Sequence, residues 1–169
     1  MDDQFALVQR ATAGDREAFS DLAALHWRRL VALARSIVAD LEAEGVVQDG
    51  LIKAWTKIGK LREPKAFSSW LTRIVANTAV ARARRKKIFQ PLNGAEFAAR
   101  EVPPDDRIDV QRLLTKLAPR QRAVLHLTVI EGLSDSEVGE VLGISSSSVR
   151  VHRMRGRQHM ERLVARGDK

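Results

Sequence analysis

Apolar positions along the 169 residues recur at steps of three and four, the spacing that gathers side chains on one side of an α-helix. Residues 5–12 give a short amphipathic helix closed by Gly14. A longer one opens at Asp15 and carries Phe19, Leu22, His26, Leu30, Leu33 and Ile37 inward. His26 lies on that stripe and reads as a packed core histidine. A third helix over 42–58 turns Val47, Leu51, Ala54, Trp55 and Ile58 inward. The fourth, over 67–87, carries Phe67, Trp70, Leu71, Ile74, Val75 and Thr78 on its apolar stripe, with Arg73, Asn77, Val80, Arg84 and Lys87 along the neighbouring flank. Ser68 or Ser69 is placed to cap its start.

Breaks in the pattern set the organisation. Pro64 disfavours helix at Glu63, so 60–66 reads as a tight loop. From 88 to 106 the periodicity lapses among Pro91, Asn93, Gly94, Pro103 and Pro104, the composition of a tether. Helical patterning returns over 108–117. Pro119 suits the first turn of a further helix that runs through Val124, Leu125, Leu127 and Val129 to Glu131 and stops at Gly132. Ser134 and Glu137 then form a capping box for a helix bearing Val138, Val141 and Leu142. Gly143, Ile144 and Ser145 make a turn, and Ser145 caps a last helix to about Val164. No stretch alternates as a strand does. The expectation is an all-α chain of two small helical domains, 1–88 and 108–169, joined by a flexible linker over 89–107.

Composition narrows the function classes. Lys and Arg number 29 against 21 Asp and Glu, a formal net charge of +8, which points to nucleic acid first and an anionic membrane surface second. No run approaches the 18 or so apolar residues of a membrane span, and MDDQF has no secretion-signal layout, so a cytoplasmic chain without membrane insertion is expected. There are no cysteines, and His26, His126, His152 and His159 form no ligand pair, so no metal site is expected. With no phosphate loop, nucleophile–base pair or carboxylate cluster, the chain does not read as an enzyme, and no cofactor is implied.

Three surfaces stand out. The 67–87 helix ends in Arg82, Arg84, Arg85, Lys86 and Lys87, a dense positive patch at the end where the helix dipole favours cations. Two helices joined by Gly143-Ile144-Ser145, the second rich in arginine, form a helix-turn-helix, whose second helix enters a DNA major groove. There Val149, Gly156, Met160 and Leu163 face inward, leaving Ser147, Arg150, Val151, Met154, Arg155 and Gln158 to reach bases and phosphates. On the third helix Glu44, Gly45, Gln48, Asp49, Ile52 and Thr56 form a mixed face of acidic character. It is either a solvated surface or a dock for a basic partner.

With these pieces in hand, the chain resembles the extracytoplasmic-function sigma factors. Its front half is similar to the family's second region in GDREAF (14–19), AEGVVQDGLIKAW (43–55) and FSSWLTRIVANTAVARARR (67–85). Its rear half resembles the fourth region in LAPRQRAVL (117–125), EGLSDSEVGEVLGIS (131–145) and SVRVHRMRGR (148–157). The resemblance implies a promoter-specificity subunit that binds core RNA polymerase and promoter DNA and stabilises the melted strands. It places Glu44, Gln48 and Asp49 on the β′ clamp helices and the rear domain on the β flap. It assigns Arg62 and Lys65, in the loop that captures an extruded base, with Asn77, Arg84 and Arg85, to the minus-ten element. Ser147 lies beside the family's minus-thirty-five reading face, to which Arg150, Val151, Met154 and Arg155 correspond. It also implies an anti-sigma partner. A free-standing helix-turn-helix regulator, dimeric on a palindromic site, is the rival reading.

Four positions depart from the family pattern. Gly45 stands where an aspartate is usual and takes a negative charge from the acidic face. A phosphate on Thr56, close to three turns further on, would return one. Gly139 and Gly156 replace alanines, and Arg153 takes an inward position usually held by leucine or isoleucine, so it must snorkel or pair.

Overall fold

The computed structural model describes residues 2–89 and 110–166, and among them every regular element is helical. The tether expected over 88–106 lies outside the described residues from 90 onward. The front unit comprises α1 (Asp2–Thr12), α2 (Arg16–Ile37), α3 (Asp40–Trp55) and α4 (Phe67–Phe89). The rear unit comprises α5 (Val110–Thr115), α6 (Pro119–Leu125), α7 (Asp135–Leu142) and α8 (Ser146–Ala165).

Local chemistry explains where these helices begin. Asp15 caps α2 by accepting from the Glu17 and Ala18 amides at 3.0 and 3.1 Å. The Ala18 amide, with the Arg10 guanidinium beside it, holds that carboxyl below the usual carboxylate range. Neither serine expected to cap α4 does so. The chain enters α4 through a 3-10 turn, Pro64–Ala66, so both fall inside the first turn. Ser69 donates back to Ala66 O at 3.0 Å, and Ser68 accepts from Arg29 at 2.9 Å.

Helices α3 and α4 share the most extensive contact in the fold. They approach closely at Gly50, where an added Cβ would come within 2.8 Å of Val75 Cγ2. Around that seam Leu22, Leu30, Leu33, Ile37, Val47, Phe67 and Leu71 are all buried. His26 is half-buried on the same side, its ring 5.6 Å from that of Phe67, and burial lowers its pKa. The histidine expected in the core packs at its rim, with Gln4 Nε2 3.3 Å from its Nε2.

In the rear unit the α-helix expected to run to Glu131 ends at Leu125 and widens into a π turn, His126–Ile130. The extra residue rotates each following side chain by about 100° relative to a continuous helix. Val129 and Ile130 therefore face solvent, 67% and 71% exposed, while His126 and Leu127 are buried. Gly132 then ends the turn with a positive φ of 67°.

The two helical units are present in the expected order, but they are not held apart. Helix α6 lies on α2 and α4, and α7 lies on α4, so one buried cluster runs through both units. Periodicity in α4 understated this burial. Val80, read as part of the polar flank, is buried, as are Ala76 and Ala79. Helices α6 and α7 of the rear unit both contact α4, so more of it is covered than a single stripe predicts.

Two glycines of opposite surroundings give a paired test. A Cβ on Gly45 would meet nothing within 4 Å, whereas one on Gly139 would come within 2.7 Å of the Ile144 carbonyl oxygen. Chemical denaturation of the Gly45→Ala chain is expected to show a gain of up to about 1 kcal/mol from helix propensity. Gly139→Ala is expected to lose about 1–3 kcal/mol by overpacking the turn.

Candidate nucleic-acid interface

Helix α4 presents its polar flank to an open groove of about 500 Å³ shared with the end of α3. Lys53, Lys57 and Arg73 supply three cations there, Trp70 an aromatic edge, and Asn77 and Thr78 hydrogen-bonding groups. Lys53 Nζ donates to Thr78 Oγ1 at 3.2 Å, which fixes the α3 side of the groove. Positive charge beside a half-buried indole suits a single nucleic-acid strand, whose phosphates and base faces it can meet together. Sequence reasoning placed Arg73 and Asn77 on the polar flank and Trp70 and Thr78 on the apolar stripe, and of these residues it assigned a DNA contact to Asn77 alone. Lys53 lies in the last turn of α3 and Lys57 just past its end, four residues apart, yet nothing in the sequence says that this end of α3 meets α4.

The remaining front candidates are more scattered. Arg62 and Lys65 are exposed in the connection before α4, and Arg84 and Arg85 are exposed near its end. The Asn77 amide donates to Arg73 O at 2.9 Å and, across the seam, to Val141 O at 3.3 Å.

The rear unit forms the expected helix-turn-helix. Ser134 Oγ accepts from the Glu137 amide at 3.3 Å while Glu137 accepts from the Ser134 amide at 2.8 Å, completing the capping box of α7. The Ser134 hydroxyl and amide together hold the Glu137 carboxyl below its ordinary value. Gly143 closes α7 in the left-handed region, at φ 65°, and Ser145 caps α8 by accepting from the Ser148 amide at 3.2 Å. Val149, Gly156 and Leu163 are buried, whereas Ser147, Arg150, Val151, Met154 and Arg155 are exposed along one side of α8. That side offers two arginines, a hydroxyl and two apolar contacts, the mixture that reads base edges and phosphates.

Arg153 resolves its departure by pairing. Its two terminal nitrogens donate to the carboxylate oxygens of Asp135, at 2.5 and 3.1 Å, a bidentate bridge from α8 to the first turn of α7. Gly139 permits the same two helices to meet closely at the turn. Together they set the angle at which α8 is presented.

On α3, Glu44 and Gln48 are exposed, but the acidic face is partly neutralised from within. Asp49 pairs with Arg82 at 2.7 Å, and Arg35 lies 3.9 Å from Glu44. Thr56 is the last-turn cap of α3, with its hydroxyl donating to Lys53 O at 2.9 Å. It lies about 16 Å along the axis from Gly45 at 1.5 Å per residue, at the helix end where the dipole disfavours an anion. Among the described residues no three His, Asp or Glu side chains gather as metal ligands, and no helix is long and apolar enough to cross a membrane.

Comparison with known proteins decides the family. Residues 22–88 match the Sigma-70 region 2 model and residues 107–160 the Sigma-70 region 4 model. SigM, an ECF RNA polymerase sigma factor of Mycobacterium tuberculosis, is 35% identical over 94% of this chain and 83% of its own. The chain belongs to the extracytoplasmic-function sigma factors. SigW of Bacillus subtilis is 29% identical over 93% of this chain and 94% of its own. Among solved structures, CnrH in complex with the cytosolic domain of CnrY has a TM-score of 0.71 and 30% identity, over 96% of this chain and 97% of that one. As a member of the family, the protein is a DNA-binding sigma factor for promoter-specific transcription initiation.

Two measurements follow from this geometry. Asp135→Arg and Arg153→Asp are each expected to loosen α8 and lower promoter selectivity in competition binding with core polymerase, and the double exchange to restore it. His126 is buried, and that burial depresses its pKa against the pull of Glu131, so the folded state favours the neutral ring. Its contribution is complete above the ordinary imidazole pKa of 6.5 and is lost as pH falls through the lowered folded value. Thermal melts should shift down between pH 7 and 5, and less so in the His126→Gln chain.

Proposed function

We propose that this sigma factor uses its three surfaces in a divided way. Glu44, Gln48 and Asp49 dock on the β′ clamp helices of core RNA polymerase, and the rear unit rests on the β flap. Arg62 and Lys65 meet an extruded minus-ten base, and Asn77, Arg84 and Arg85 hold the strands beside it. Ser147, Arg150, Val151, Met154 and Arg155 read the minus-thirty-five element. The observation that carries the reading is the exposed arginine-bearing side of α8 in a chain that also bears a cationic, aromatic-edged groove on α4. Two DNA-facing surfaces of different kinds suit a protein that reads one element as duplex and another as opened strand.

Several further features are part of the same proposal. RNA synthesis belongs to the polymerase, and this chain is not an enzyme. It works in the cytoplasm with the polymerase, and an anti-sigma protein covers it until it is needed. The solved relative CnrH is bound by CnrY, which supports a dedicated inhibitory partner. The Asp49–Arg82 pair lowers the free negative charge of the docking face further than Gly45 does alone. Replacing Gly45 by aspartate therefore adds charge where the face is weakest.

Run-off transcription with core enzyme on genomic fragments, followed by sequencing of the start sites, tests the reading directly. A shared minus-thirty-five and minus-ten pair upstream of the starts is expected. Absence of any transcript, with tight specific binding by the lone protein to a palindrome, contradicts it. Arg150→Ala and Arg155→Ala should each cost about 1–3 kcal/mol of promoter discrimination. Gly45→Asp should tighten binding to core polymerase, read by competition against the unmodified chain.

A further inference from the structure

Paired and unpaired cations alternate along two of the helices. On α4, Asp49 holds Arg82 at 2.7 Å and Glu42 holds Lys86, yet the Arg84 side chain between them has no hydrogen-bond or ion-pair partner among the described residues. On α8, Asp135 holds Arg153, while the side chains of His152 and Arg155 to either side have none. Arg120, in the first turn of α6, is equally unpartnered. Packing brings these four residues together. Helix α6 contacts both α4 and α8, and a Cβ on Gly156 of α8 would stand 3.5 Å from Cβ of Gln121, next to Arg120 in the chain. His152 lies one turn before Gly156, between it and Val149 on the buried side of the helix. Burial, followed by Arg120, Arg155 and Arg84, lowers the pKa of His152, and burial and Arg84 lower that of Arg120. The four thus share one neighbourhood in which cations repel and no carboxylate of the described residues answers them.

We propose that Arg84, Arg120, His152 and Arg155 form a binding site for a small, multiply charged phosphate anion, namely a diphosphate or triphosphate group. Forked guanidiniums from three helices can each meet two phosphate oxygens. Their permanent charges, with an imidazole that the anion would recharge, match the several negative charges of such a group and exceed what a lone sulfate offers. Arg120 and His152 are half-buried, which favours a compact anion over a nucleic-acid strand that runs along the surface.

Elsewhere the chain answers its half-buried cations with its own acids, Arg29 with Glu131 and Arg153 with Asp135. Here the counter-charge has to come from outside. Arg84 and Arg155 also carry DNA contacts in the proposed division of surfaces, and the regulatory half of the inference rests on that reading. Anion and promoter then compete for two shared arginines, so each lowers the affinity for the other. Ligands of this class are present wherever RNA is made, as the triphosphate group of the nucleotides consumed and as the pyrophosphate released.

Isothermal titration of the full-length chain tests the site without DNA or polymerase. Sodium pyrophosphate, ATP and sulfate are compared at constant ionic strength and without divalent metal. Pyrophosphate or ATP is expected to bind at least roughly tenfold more tightly than sulfate and to raise the melting temperature, and the tighter of the two names the source. Arg120→Gln and His152→Gln, neither of which is given a DNA contact, should each weaken that binding roughly tenfold. Arg16→Gln, which removes an exposed charge on α2, should leave it unchanged. Melts without anion check that each variant is folded. Saturating pyrophosphate should also weaken the binding of labelled single-stranded DNA to the natural chain and not to Arg120→Gln. Pyrophosphate and ATP binding no tighter than sulfate, or equal affinity in the natural chain and both variants, overturns the inference. So does a loss of DNA binding in Arg120→Gln and His152→Gln as large as their loss of anion binding, since the cluster then serves the strand. A chain that makes no transcript with core polymerase, yet binds pyrophosphate through Arg120 and His152, fails as a sigma factor while the site stands.

Discussion

The packing of α4 between two partners is the constraint on which the rest of the molecule depends. One side of this helix is clamped to α3 where Gly50 meets Val75, and the side bearing Ala76, Ala79 and Val80 is buried as well. What remains is a narrow polar strip, and the groove with Lys53, Lys57, Trp70 and Asn77 opens along it. The strip is rigid because the packing around it is. On the proposed reading, in which this strip holds separated strands, such preorganisation favours binding, since little is lost in ordering its side chains when the ligand arrives.

Charge is distributed to match. The chain is strongly basic, yet its acids are placed where they pin cations in defined positions. Asp49 holds Arg82, Asp135 holds Arg153 and Glu131 holds Arg29. Arg150 and Arg155 on α8 and Arg84 and Arg85 on α4 remain exposed. The pinned cations set helix angles and contacts between units, while the exposed ones form the field that a polyanion meets. Arg153 illustrates the division, because a residue that looks misplaced among inward positions serves as the strut between α7 and α8.

Much of this was legible in the sequence, and the omissions have a common origin. Every long helix, the Ser134–Glu137 box, the Ser145 cap and the side of α8 turned to solvent follow from periodicity and local hydrogen-bond chemistry, which act within a few residues. The π turn at His126 was not legible, because apolar Val129 and Ile130 continue a helical stripe on paper and only the widened turn rotates them outward. The serines expected to cap α4 were displaced by the 3-10 turn at Pro64–Ala66, a choice made by the preceding loop. The burial of Val80, the Arg29–Glu131 bridge and the membership of Lys53, Lys57, Trp70 and Arg73 in one groove depend on which helices meet, and spacing along a chain does not specify that.

The central claim is that α4 and α8 contact different parts of one promoter while polymerase holds the chain. Photocrosslinking from single modified bases in an open complex addresses it most directly. The account predicts that adducts from the minus-ten non-template strand map to α4 and the 61–66 connection, and those from the minus-thirty-five duplex to α8. Minus-ten adducts on α8, or none on α4, would contradict it.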